Sequence, residues 1–316
     1  MNTLVDPSAL RFRISKSRTE FPLEYSPDLE AVWGFMEPKG VPCFSLTLMR
    51  EIRAQDGALE AEPGFILHGD ARLPVRYYIS ASRVPGVFSY GGDLSLFLTL
   101  IRARDGGALR AYAGRCLDCL WPRLTGFGAK NLTSISLVQG AAFGGGWEGA
   151  LASDIIIAEA GARFMFPEIK FNLFPGMGAF SLLARRVGPG LAQRLMWQEE
   201  RYTAQMLHEM GLVDVVVPDG CGEQETVRWI RNSERRANGL SGIVAARKIS
   251  MPLTRAELDA IADRWVEAAL NLTDMDLRAM NRILLRQQST GRLVRPSAVE
   301  RVAEIVANEA VAKEVA

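Results

Sequence analysis

Histidine is scarce in this chain, with only His68 and His208 among 316 residues. That scarcity argues against a serine–histidine hydrolase and against a metal centre built on imidazole. Cysteine is nearly as rare: Cys43, Cys116, Cys119 and Cys221. Cys116 and Cys119 form a C-x-x-C, but no second pair accompanies them. They read as structural thiols on a helix, and no metal or redox cofactor is expected. Neither sign of charge dominates, since 37 Lys+Arg against 36 Asp+Glu leave a net charge of +1. The basic residues are spread along the chain, so there is no electrostatic case for nucleic acid. No apolar run is long enough to span a bilayer, and Met1-Asn2-Thr3-Leu4-Val5-Asp6 lacks a signal-peptide pattern. The expected location is the cytoplasm, without membrane insertion. Internal repeats and low-complexity tracts are also missing.

What remains is an ordinary globular composition, 48% hydrophobic and 23% charged. Strand patterns at Leu29–Met36, Val75–Ser80, Ser134–Val138 and Ile155–Ala158 alternate with helical spacings at Phe44–Arg53, Leu94–Arg104 and Leu109–Leu124. This alternation predicts an α/β fold built on crossovers. Beyond Pro175-Gly176 helices dominate: Phe180–Val187, Leu191–Trp197, Ala204–Met210, then about 223–237, 254–271, 274–288 and 296–312. Gly211–Pro218 reads as a short strand-like return. Residues 1–27 read as an irregular arm, Gly57–Arg72 as a long loop, and Asn238–Met251 as the one plausible interdomain linker.

The most informative stretch is Gly144-Gly145-Gly146-Trp147-Glu148, entered from a strand and left by a short helix. Glycines at such a junction let backbone approach a ligand closely and leave N–H groups unpaired at a helix start. A second glycine turn, Gly91-Gly92-Asp93, stands at an equivalent strand-to-helix junction. Asp93 there reads as the cap of the helix that follows. Two N–H donors converging on one carbonyl oxygen would stabilise an enolate or tetrahedral oxyanion, each worth roughly 3 kcal/mol of barrier. Glu148 and Glu168, twenty residues apart, supply carboxylates to move protons on either side of that carbonyl. The pattern reads as acyl-thioester chemistry.

The ordered motifs Phe88-Ser89-x-Gly91-Gly92-Asp93-Leu94, Gly140-Ala141-Ala142-Phe143-Gly144-Gly145-Gly146-x-Glu148 and Phe166-Pro167-Glu168-Ile169 resemble the crotonase (enoyl-CoA hydratase/isomerase) superfamily. Pro175-Gly176-x-Gly178 and Gly211-Leu212-Val213-Asp214-x-Val216-Val217-Pro218 continue the match, which covers about residues 75–220. The flanks, with Glu20-Phe21-Pro22-Leu23-Glu24-Tyr25, Trp33-Gly34-Phe35-Met36, Pro42-Cys43-Phe44-Ser45, Tyr90 and Trp147, look like the diffusible signal factor synthase branch.

The resemblance implies a crotonase-like spiral of ββα units: an N-terminal arm at 1–27, the core at 28–237, and a helical trimerisation or lid region at 238–316. It implies Glu148 and Glu168 as the acid/base pair and the Gly92 and Gly145 amides as the oxyanion hole. Met177, Trp265, Ile283 and Leu284 are read either as lining of an acyl pocket or as plain core. The implied reaction dehydrates a 3-hydroxyacyl chain, for example 3-hydroxydodecanoyl, on acyl carrier protein or coenzyme A. Hydrolysis of the cis-2-enoyl thioester then releases a cis-2-unsaturated fatty acid. Implied partners are the carrier, further copies of the chain as a trimer or dimer of trimers, and a regulatory sensor protein. Arg185-Arg186 and Arg235-Arg236 read as carrier contacts or as solvated helix faces. The alternatives are a conventional enoyl-CoA hydratase of fatty-acid oxidation and a non-catalytic acyl-thioester-binding regulator.

Overall fold

A computed structural model describes residues 11–15 and 19–290; the expected helix at 296–312 and residues 1–10 and 16–18 of the arm lie outside them. Strand β1 (Phe12–Arg13) and β2 (Leu23–Ser26) lead into β3 (Ala31–Met36), and helix α1 (Leu46–Ala61) follows. A hairpin of β4 (Phe65–His68) and β5 (Ala71–Pro74) precedes three similar units. The first is β6 (Tyr77–Ser82), β7 (Gly86–Ser89) and α2 (Leu94–Arg102), with the long α3 (Gly106–Thr125) behind it. The second is β8 (Thr133–Val138), β9 (Gly140–Phe143) and α4 (Gly145–Leu151). The third is β10 (Ile155–Glu159), β11 (Arg163–Met165) and a 3₁₀ turn, Glu168–Phe171.

In each unit the first strand joins one sheet and the second joins another. The larger sheet runs β1-β2-β3-β6-β8-β10-β13, closed by β13 (Val215–Val217), and is parallel from β3 onward. The smaller runs β12-β11-β9-β7, with β12 (Tyr202–Thr203) its antiparallel edge. This is the expected spiral of ββα units.

The larger sheet is buried on both faces, which is why its strands are continuous apolar runs such as Ile155-Ile156-Ile157. Register places Trp33, Ile79, Ile135 and Ile155 in one row across four strands. That row faces an outer core shared with Ile230 of α8 (Gly222–Ser233). Val32, Tyr78 and Ile156 point the other way, into the main core. Each large aliphatic buried here contributes about 1.5–3 kcal/mol.

The remaining helices are α5 (Ala179–Val187), α6 (Pro189–Trp197), α7 (Ala204–Glu209), α9 (Ala237–Ser250), α10 (Arg255–Leu270) and α11 (Asp274–Thr290). No described helix is long and apolar enough to cross a membrane.

Three local expectations need correction. The arm is not wholly irregular, because β2 pairs antiparallel with β3 and buries Phe21, Leu23 and Tyr25. Pro22 does not stop it: it sits just ahead of the strand, and its carbonyl accepts from Phe35 N–H at 3.0 Å. The stretch 57–72 is not a loop, since α1 continues through Gly57 to Ala61 and the β4–β5 hairpin turns at Gly69. Residues 238–251 are not a linker either. A 3₁₀ turn, Glu234–Arg236, joins α8 directly to α9, and the small residues Gly239 and Gly242 are carried inside that helix.

Candidate active site

Strands β9 and β11 lie parallel and in register, Phe143 beside Met165, and this pairing brings the two glutamates together. Glu148 follows Phe143 by five residues on α4, and Glu168 follows Met165 by three. Gly144 turns the chain between β9 and α4 with φ +51, its N–H donating to Met165 O at 2.9 Å. A Cβ there would fall 2.2 Å from Glu168 Oε1, so only glycine leaves space for that carboxylate. Trp147, 1% exposed, stacks on Phe166 at 4.4 Å between ring centroids and locks the two carboxylate-bearing segments to each other.

The second glycine turn closes from the opposite side. Gly91, at φ +87, packs so closely on α4 that a Cβ would sit 2.6 Å from Gly145 N and 2.7 Å from Phe143 O. Asp93 caps α2 by accepting from Ser95 and Leu96 N–H, both at 3.0 Å. Tyr112 hydroxyl braces the turn, accepting from Asp93 N–H at 3.0 Å and donating to Phe44 O at 2.6 Å. Gly145 is the first residue of α4, where an N–H has no intrahelical acceptor. Among the described residues neither the Gly92 nor the Gly145 N–H finds a hydrogen-bond acceptor. Both glycines and both glutamates border one cavity.

Glu148 is 2% exposed and its Oε1 accepts from Met177 N–H at 2.8 Å and Ala179 N–H at 3.0 Å. Burial nevertheless pushes its pKa up to about 7 against the pull of those donors. Glu168 is half-buried as a residue, yet its Oε2 is sealed from solvent and has no partner. Desolvation, joined by the charge of Glu148, pushes it up to about 8. Both carboxyls are thus pushed up towards neutrality, the condition under which one of a pair can hold a proton while the other is free of one.

Met177 and Trp265 border the cavity and also belong to the main core. Ile283 and Leu284 do not: Leu284 is core, and Ile283 packs beside it. The residue of α11 that does face the cavity is Gln287, 7% exposed, with its Oε1 unpartnered. The reason is axial: Gln287 lies one turn further along the same face of α11 as Ile283 and Leu284, and it is that turn which reaches the cavity. Sequence reasoning also missed Phe44, Met49 and Tyr112, and it did not place Cys116 or Cys119 at this cavity. Their signal was present in the helical spacing of 112, 116, 119 and 120.

Arg185 and Arg186 are not a free basic face. Arg185 pairs with Glu257 at 2.7 Å, and Arg186 donates to Ser153 O at 2.5 Å. Among the described residues, no three His, Cys, Asp or Glu side chains cluster to hold a metal ion.

Residues 74–259 match the model of the enoyl-CoA hydratase/isomerase family. The chain is 41% identical over 99 residues to 2,3-dehydroadipyl-CoA hydratase of Escherichia coli (strain K12), which is 31% of this chain and 38% of that protein. It is 35% identical over 166 residues to mevalonyl-coenzyme A hydratase SIDH of Beauveria bassiana, 51% of this chain and 57% of that one. The match thus spans about half the length of these curated relatives or less. Among solved structures, Pseudomonas aeruginosa DspI superposes with a TM-score of 0.61 at 24% identity, covering 80% of this chain and 97% of DspI. At that identity the likeness is one of fold.

Proposed function

The chain belongs to the enoyl-CoA hydratase/isomerase family, and from that premise we propose that it dehydrates a 3-hydroxyacyl thioester to the cis-2-enoyl thioester and then hydrolyses it to the free cis-2-unsaturated acid. The product would be a diffusible quorum-sensing signal. The observation that carries this reading is the meeting of two desolvated carboxylates and two unpaired backbone N–H groups at one cavity.

The thioester oxygen accepts from Gly92 and Gly145 N–H, which stabilises negative charge as the C2 proton leaves. One carboxylate takes that proton. The other, protonated, gives its proton to the departing C3 hydroxyl, so water leaves and the C2=C3 bond forms. Hydrolysis reuses the same parts. A carboxylate takes a proton from water, the oxygen bonds to C1, and the oxyanion occupies the same two N–H groups. Collapse breaks the C1–S bond, and the thiol leaves with a proton from the acid partner. The unpartnered Glu168 Oε2 has the capacity to accept a hydrogen bond from such a water. The carrier is acyl carrier protein or coenzyme A, and assembly as a trimer or dimer of trimers, with a sensor protein as regulator, belongs to the same proposal.

A conventional enoyl-CoA hydratase is the second reading, favoured by the names of the curated relatives. Both readings require the two glutamates; a non-catalytic acyl-thioester binder requires neither. Glu148→Ala and Glu168→Ala are each expected to abolish turnover while acyl-thioester affinity stays within about tenfold. Retained turnover in either variant would remove the catalytic assignment.

A further inference from the structure

The cavity follows a single face of α3, whose lining residues stand at 112, 116, 119 and 120. Tyr112 marks the catalytic end, since a Cβ built on Gly92 would lie 3.7 Å from its hydroxyl. At about 1.5 Å per residue, Leu120 is roughly 12 Å further along. Helix α1 runs beside it in the same direction. Phe44, just before α1, donates its N–H to Gly91 O at 2.7 Å. Five residues on, Met49 meets the thiols: Cys116 Sγ is 3.5 Å from its Sδ, and Cys119 Sγ is 3.5 Å from its carbonyl oxygen.

One turn beyond, the character of the contact changes. Asp56 of α1 and Arg123 of α3 are both buried and pair at 3.5 Å. Tyr78 hydroxyl lies 3.2 Å from each. Arg123 also donates to Ser80 Oγ at 3.2 Å and to the Cys119 carbonyl. Neither Asp56 nor Arg123 borders the cavity.

We propose that this channel is a chain-length ruler: Met49, Cys116, Cys119 and Leu120 hold the far end of the acyl chain, and the Asp56–Arg123 ion pair beneath them stops it. A terminal methyl pushed past Cys119 has to part a buried, hydrogen-bonded ion pair and leave two charges in apolar surroundings. An extended chain advances roughly 1.2 Å per bond, so about 12 Å takes about ten bonds beyond the thioester carbonyl. The preferred substrate class is therefore a medium chain of about ten to twelve carbons. The cysteines serve as small apolar liners, and burial pushes both thiols up, away from the reactive thiolate.

The ruler rests on the acyl-thioester reading of the site, and its test separates the two. Acyl-CoA thioesters from about six to about sixteen carbons are compared by kcat/KM as 3-hydroxy or 2-enoyl substrates and, as saturated chains, by direct binding. Wild type is expected to peak at about ten to twelve carbons and to fall about tenfold for each two carbons beyond. Cys119→Met, which narrows the far end, is expected to shift the optimum shorter by about two carbons. Met49→Ala, which opens it, should shift the optimum longer by about as much. Opposite shifts cannot come from loss of stability, which lowers every chain length alike. A binding profile flat across lengths, or variants that keep the wild-type optimum or move it the same way, overturns the ruler. Length-dependent binding without turnover overturns the catalytic reading and leaves the ruler standing.

Discussion

Replacing Glu148 by glutamine isolates what it takes to keep an acid in this cavity. Glutamine retains an Oε1 acceptor for the Met177 and Ala179 N–H groups and removes only the titration. In the wild type, burial raises this carboxyl from the usual 4.5 to about 7. The folded protein therefore binds a proton that the unfolded chain has released across that interval. Stability is fullest below the unfolded value and falls as pH rises towards the folded one, by about 1.4 kcal/mol per pH unit for one proton. Between about pH 5 and about pH 7 the wild type should lose about 2 kcal/mol from this group alone. The variant loses none of it. Removing the Glu148 charge also relieves part of the upward push on Glu168, which flattens the variant's profile further. Urea unfolding at three pH values across this range measures the difference directly. The gap between variant and wild type should widen in the variant's favour by about 2 kcal/mol as pH rises. Curves that stay parallel within about 0.5 kcal/mol would refute the argument, because a carboxyl that titrates normally is not desolvated.

Gly91→Ala places a methyl 2.6 Å from Gly145 N and forces a side chain onto φ +87, so the oxyanion-hole donors must separate. Steady-state kinetics should show kcat down by about 100-fold or more with acyl-thioester binding largely kept; unchanged kcat would exclude these amides. With carboxyls pushed up to about 7 and about 8, kcat/KM should rise through the first value and fall through the second, and a flat profile from about pH 5 to about pH 9 contradicts the shared proton. Arg123→Met strands Asp56 as a buried acid without its cation and should lower stability by about 3–5 kcal/mol at neutral pH. Adding Asp56→Leu should restore much of that loss in urea unfolding, and additive losses would argue against an ion pair.

The placement of the two glycine turns, Glu148 and Glu168 at strand ends was legible because each lies in a short local motif, readable within about ten residues. Their convergence was less so. It depends on β9 pairing with β11 and on Gly91 packing against Gly145, contacts between segments that sequence alone does not join. The far end of the cavity was illegible for the same reason. Met49 and Cys116 touch across 67 positions, and the C-x-x-C gave no hint that a methionine of α1 would face it. On α11 the apolar spacing marked Ile283 and Leu284, but the axial position of that helix, set by packing on α2 and the Glu168 turn, brings the next turn of the same face, with Gln287, to the cavity. Local breakers misled where tertiary packing overrode them. Gly57, Gly239 and Gly242 all lie inside helices, and Pro22 sits immediately ahead of a strand.

Incubation of the purified protein with 3-hydroxydodecanoyl-acyl carrier protein, followed by mass spectrometry of the products, tests the central claim most directly. The account predicts free cis-2-dodecenoic acid, with dehydration and thioester cleavage both abolished in Glu148→Ala and Glu168→Ala. An enoyl thioester that accumulates with no free acid would contradict it and make the protein a hydratase of the ordinary kind.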